Sequence, residues 1–154
     1  MFQEHRSRVL TDSSAIEILL RLCCSLSFGK ALTFHHFALS VTDMDRATWF
    51  YSEVLGLEPI ERPPFDFGGA WYQLGDHTLH LIVHPPTRTL RHSMEIGPRE
   101  GHLALRVRDR QEVIDRLRKH DVEILDLPDN LTPWAQVYCC DPDGNIIEFN
   151  VDRT

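Results

Sequence analysis

The sequence predicts an α+β fold in which two β-α-β-β-β modules pair into an open, eight-stranded, barrel-like sheet. Two observations carry that prediction. "HFALSV" (36–41) recurs 66 residues later as "HLALRV" (102–107), and "GDHTLHLIV" (75–83) aligns with "DGNIIEFNV" (143–151), 68 residues on. Between the members of each half runs the same order of signals, a helix pattern and then extended segments.

The elements follow in chain order. After a strand at 36–41, "DMDRATWFYSEVLG" reads as a helix. Thr42 or Asp43 caps it, Ala47, Tyr51, Val54 and Leu55 form its buried face, and Gly56 ends it. Extended segments are expected at 57–62, 69–74 and 78–83, punctuated by Pro63-Pro64 and Gly68-Gly69. In the second half, "DRQEVIDRLRKH" reads as a helix with a capping box at Asp109 and Glu112 and an apolar stripe of Val113, Ile114 and Leu117. Extended segments at 122–127, 134–140 and 146–151 follow, punctuated by Pro128, Pro133 and "DPDGN". The chain therefore divides into an N-terminal extension (1–31) and a single domain (32–152). The domain comprises module one (32–84), a connector (85–100) and module two (101–152).

Composition narrows the function classes. Hydrophobic content of 42% and charged content of 25% suit a globular domain. A net charge of −7 and the lack of a basic stripe argue against a nucleic-acid partner. No apolar run reaches spanning length, so no membrane partner is expected. "AIEILLRLCCSLSF" is interrupted by Glu17 and Arg21, and Ile16, Leu19, Leu20 and Cys23 share one stripe. A short amphipathic helix suits it better than a signal peptide. The four cysteines fall as Cys23–Cys24 and Cys139–Cys140, without C-x-x-C spacing, so free thiols in a reducing cytoplasm are expected.

Strand alternation picks out a site. His35, Phe37, Leu39 and Val41 share one face, expected to pack under the helix, while His36, Ala38 and Ser40 share the other. Likewise His102, Ala104 and Arg106 oppose Leu103, Leu105 and Val107. His80, Ile82 and His84 oppose Leu79, Leu81 and Val83, and Glu148 and Asn150 oppose Ile147, Phe149 and Val151. If the halves pair about a pseudo-two-fold axis, His36, His80, His102 and Glu148 converge. Three imidazoles and a carboxylate suit a divalent metal (Zn, Ni, Co, Mn or Fe), although each histidine alone equally suits a hydrogen-bonded strand position. Arg106, four residues beyond His102 on the same face, either pairs with a nearby acid or grips a substrate carboxylate bidentately. Trp71 and Gln73, with Tyr138, are the expected substrate-binding wall; packing in the core is the other reading for the aromatics.

"HxALxV" twice, "FYSEVLGL" (50–57) and the "DPDGNxxE" ending resemble the vicinal oxygen chelate superfamily over about residues 32–152. That superfamily includes glyoxalase I, fosfomycin-resistance thiol transferases, methylmalonyl-CoA epimerase, extradiol dioxygenases and bleomycin-resistance proteins. "RPPFDFGGAWYQLG" (62–75) also resembles a glyoxalase-I-like subgroup. The resemblance places His36, His80, His102 and Glu148 on the four ligand positions. It implies a homodimeric lyase or isomerase acting on a small oxygen-chelating substrate through a metal-stabilised oxyanion, with Glu148 as ligand and general base. In glyoxalase I, position 80 is normally Glu, and bacterial forms carry Arg and Asn where this chain has Ser40 and His84. Those departures favour a small anionic chelator over a glutathione hemithioacetal. Tyr138 fits the later part of the extradiol signature, "Y-x-x-D-P-x-G-x-x-x-E", without the histidine that precedes it. Ring-cleaving dioxygenase, fosfomycin-type thiol transfer and non-enzymatic bleomycin-type binding are the alternatives.

Overall fold

A computed structural model describes residues 33–153, so the expected extension and its helix lie outside the described residues. Module one consists of β1 (His36–Val41), α1 (Met44–Thr48), a π-helical continuation (Trp49–Val54), β2 (Pro59–Ile60), β3 (Gly69–Leu74) and β4 (His77–Val83). Module two repeats it with β5 (His102–Arg106), α2 (Arg110–Lys119), β6 (Ile124–Leu127), β7 (Trp134–Cys140) and β8 (Ile146–Asp152). The eight strands divide into two open four-stranded mixed sheets, ordered β1-β4-β3-β2 and β5-β8-β7-β6. In each sheet the first strand lies parallel to the last, so the sequence repeat is a repeat of topology.

Local chemistry sets the element ends. Asp43 caps α1 by accepting from the Arg46 N–H, while Thr42 turns to the Asp143 carboxylate. The single helix expected over this stretch changes pitch at Trp49. Leu55 N–H donates to Phe50 O and Leu57 N–H to Tyr51 O, which widens the last turn before Gly56 takes φ +71°. That exit consumes Leu57, and Pro63 and Pro64 offer no N–H, so the extended segment expected at 57–62 pairs only at Pro59–Ile60. Asp109 caps α2 through Gln111 N and Glu112 N.

Both helix-facing sheet surfaces feed one core. Val41, Phe50, Tyr51, Leu79 and Leu81 of module one join Leu103, Ile114, Leu117, Val137, Ile147 and Phe149 of module two. Burying each large apolar side chain is worth roughly 1.5–3 kcal/mol. His35, expected on this face, precedes β1 and is exposed, because the strand begins one residue later. The "DPDGN" turn clasps module one: Tyr51 donates to buried Asp141 (2.8 Å) and Asn145 Nδ2 donates to Ser40 O (3.0 Å). Burial raises the Asp141 carboxyl above its ordinary range, against the pull of its Asn145 and Tyr51 bonds. Arg116 on α2 donates to Val54 O (2.7 Å), tying the two helical layers together. With the apolar faces joined, the histidine-bearing faces point outward.

Candidate metal centre

Register makes the repeat exact in space. Ala38 lies opposite His80 across β1 and β4, and Ala104 lies opposite Glu148 across β5 and β8. His36 and His102 each sit two residues before that point, diagonal to their strand partner. Directly across from His80 stands Trp71; directly across from Glu148 stands Tyr138.

In module two the pair is tightly bonded. His102 Nε2 lies 2.7 Å from Glu148 Oε2, and the Glu148 side chain is only 5% exposed. Gln136 donates to the other carboxylate oxygen (2.6 Å) and is itself held by Asn130, which donates to its Oε1 (2.8 Å). Tyr138 also donates to Glu148; burial first, and that carboxylate next, push its hydroxyl well above the usual phenol value, so it stays a donor. His102 Nδ1 lies 2.7 Å from the Glu100 carbonyl oxygen and must carry the proton, since a carbonyl only accepts.

In module one the pair is stacked. The His36 and His80 rings lie 4.2 Å apart at 14°, and Trp71 covers the other face of His80 at 4.1 Å and 8°. His80 Nε2 meets Thr78 Oγ1 (2.9 Å), and His36 Nδ1 meets His35 Nδ1 (2.8 Å). Burial, then the neighbouring His36 and His35, hold the His80 imidazole below its ordinary value, which keeps it neutral as a metal ligand must be.

The donor set fits a divalent ion. With Nδ1 protonated, a neutral His102 presents a lone pair at Nε2 to a carboxylate oxygen 2.7 Å away. Such a contact needs a positive centre, either a proton or a cation. Two ligands each roughly 2.0–2.2 Å from one ion at a right angle lie about 3 Å apart, close to that separation. The structure brings His36 to His80 and His102 to Glu148, yet among the described residues no three His, Cys, Asp or Glu side chains group closely enough to hold a metal.

The remaining expected residues divide. Arg106 is ion-paired with Asp152 and lies over the Trp134 ring (5.3 Å), half-exposed on the Glu148 face. On that same face Trp134 Nε1 and Asn150 Oδ1 are buried without a partner. Gln73 gives its amide to Gly75 O and His77 O, bracing the β3–β4 turn. Gln136, which alternation puts on one strand face with Trp134 and Tyr138, holds the Glu148 carboxylate, whereas Arg91 and Glu100 of the connector carried no signal in the sequence. Cys139 and Cys140 are free and buried.

Two open four-stranded sheets, related by an internal repeat, define a protein of two duplicated β-α-β-β-β modules. Residues 33–149 match the family described as the Glyoxalase/Bleomycin resistance protein/Dioxygenase superfamily, and the chain belongs to it. It is 26% identical over 119 residues to the lactoylglutathione lyase of Salmonella typhimurium, covering 74% of this chain and 88% of that one. The match to the Arabidopsis thaliana lactoylglutathione lyase GLX1 is also 26%, over 75% of this chain but only 43% of that protein's length. Among solved structures, TnmS3, an antibiotic binding protein from Streptomyces sp. CB03234, superposes with a TM-score of 0.63 at 27% identity, covering 81% of this chain and 99% of that one. A mutant of the fosfomycin resistance protein FosX from Listeria monocytogenes, complexed with Mn(II) and 1S,2S-dihydroxypropylphosphonic acid, shares the fold. Its TM-score is 0.63 at 15% identity, over 80% of this chain and 94% of that one. No helix among the described residues is long and apolar enough to cross a membrane.

Proposed function

We propose that the chain is a divalent-metal-dependent enzyme of glyoxalase-I-like lyase or isomerase type, acting on a small, anionic, oxygen-chelating substrate. The observation that carries it is the matched register of the two pairs, each with a ligand-type side chain opposite an alanine on the outward face. The lactoylglutathione lyase relatives support the reaction class. In this reading His36 and His80 of one copy meet His102 and Glu148 of a second, so a homodimer holds two complete sites. A bound ion would act as a Lewis acid toward an oxyanion of the chelated substrate.

The chain's own residues supply the rest. Glu148, buried and held by Gln136 and Tyr138, takes a carbon-bound proton of the substrate and returns it to the neighbouring carbon. Arg106 receives the substrate carboxylate. Its present partner Asp152 is exposed, and such a surface pair is worth little, so a substrate anion can replace it. The unpartnered Trp134 N–H and Asn150 carbonyl flank that position as a donor and an acceptor.

Mixing two disabled variants tests this. His36→Ala and Glu148→Ala homodimers should each lose tight binding of Zn or Ni, yet a mixture should regain it, because one site of the heterodimer is built entirely from intact pairs. No recovery on mixing would rule out sharing between copies, and a wild-type chain that takes up no divalent metal would end the enzyme proposal. The 27% identity to an antibiotic binding protein favours a second reading, binding without turnover. It predicts ligand affinity that survives loss of Glu148, measured by calorimetry with a panel of hydroxy- and keto-acids.

A further inference from the structure

The connector between the modules ends two residues before His102, and one side chain fastens it. Arg91 is largely buried and grips Glu100 bidentately, through Nε to Oε2 (2.6 Å) and Nη2 to Oε1 (3.0 Å). The same guanidinium donates to Glu95 O (2.7 Å) and to Gly144 O (2.8 Å) in the β7–β8 turn. Glu100 is thereby anchored by its side chain, by its N–H to Gly97 O (2.9 Å), and by its own carbonyl on His102 Nδ1 (2.7 Å). Gly101 separates it from His102, and a Cβ there would meet nothing within 4 Å. That linkage is free to turn, so the carbonyl's aim depends on the anchors.

The turn that receives Arg91 is shaped for this contact. Gly144 has φ +83°, and a side chain on it would strike the Ser93 carbonyl of the connector. Among the described residues module one has nothing comparable, since His36 Nδ1 there meets only the His35 imidazole.

We infer that Arg91, acting through Glu100, is a positioning residue that fixes the tautomer and orientation of His102. With the proton held at Nδ1, Nε2 faces Glu148 with its lone pair. The link to metal binding rests on the function proposed above; the tautomer does not. Partners that orient a ligand histidine in this way typically change metal affinity 10–100-fold when lost.

The test uses the full chain with 15N-labelled histidine. Wild type should show His102 with its proton held at Nδ1, with or without metal. Arg91→Ala should give mixed tautomers and a roughly 10–100-fold loss of Zn affinity in competition with a chromophoric chelator. Lysine cannot copy the bidentate grip, so Arg91→Lys should not rescue. Glu100→Ala keeps the Arg91 bonds to Glu95 and Gly144 and should move both readouts the same way, by less, which decides the matter if Arg91→Ala does not fold. Arg110→Ala, which loses the ion pair to Asp126, should lower stability without touching the tautomer. Retention of the Nδ1–H form and wild-type affinity in both Arg91→Ala and Glu100→Ala overturns the inference. If wild type binds no Zn while the variants still scramble the tautomer, the positioning role stands and the metal reading falls.

Discussion

The same register is used twice in this molecule and finished in two different ways. In module two, His102 Nε2 and Glu148 Oε2 lie 2.7 Å apart, with Gln136, Tyr138 and the Glu100 carbonyl around them. In module one, His36 and His80 are stacked rings under Trp71, with no carboxylate on either among the described residues. A duplicated backbone thus fixes where each side chain stands, while the neighbours decide how firmly it is aimed. Under the function proposed above, module two is the preorganised half, and module one is the half that a partner or an ion would complete.

The sharpest way to break that comparison is to remove one ligand from each half. Glu148→Gln should cost more than about 100-fold in divalent-metal affinity, since it deletes the only anion among the four proposed ligands, whereas His80→Gln should cost about 10-fold. Chelator competition measures both; equal losses would mean that the halves contribute alike. The converse experiment makes the halves match. His80→Glu places a carboxylate opposite Ala38, as Glu148 stands opposite Ala104, and should tighten metal binding by roughly 10-fold or more. A variant that binds more weakly would show that the imidazole stack, not the missing charge, defines module one.

Support around the ligands gives a smaller contrast. Gln136→Leu strips the donor from a buried carboxylate oxygen and should weaken metal binding about 10–100-fold. Trp71→Leu removes only a ring stack, worth roughly 0.5–1.5 kcal/mol, and should weaken it by less than about 10-fold. Isothermal titration of the two variants side by side decides between them.

The smallest effect concerns pH. His80 sits below its ordinary value of 6.5 in the folded chain because of burial and then the adjacent His36 and His35. The unfolded chain therefore takes up this proton first as pH falls. Its contribution to stability is fully present above about 6.5 and declines below it, until the folded imidazole also protonates. Urea unfolding of the metal-free chain at neutral pH and near pH 5 should show this decline, and His80→Gln should make it shallower. An identical slope in wild type and variant would remove His80 from the balance.

How much of this was legible in the residues themselves varies by region. Asp109 as a cap, the two long strands β7 and β8 and the outward faces of β1, β4, β5 and β8 were readable, because capping and alternation are local properties of the chain. The pitch change at Trp49 and the short β2 were not, since they depend on where the helix meets the sheet and on backbone bonds leaving Leu55 and Leu57. Arg106 shows the limit clearly: its face was readable, but its pairing with Asp152 and its place over Trp134 required β5, β7 and β8 to be laid side by side.

What the sequence determined by itself was the repeat, and with it the equivalence of His36 with His102 and of His80 with Glu148, because a period of two assigns every strand side chain to a face. Only the tertiary structure decided which of them touch. Joining the apolar faces into one core turns the histidine-bearing faces outward and leaves each pair with its own sheet, so the connector's Glu100, held by Arg91 and silent in the sequence, ends up against His102. Periodicity travels along a strand. Contact between distant segments is set by how the sheets and the connector pack, which no local pattern encodes.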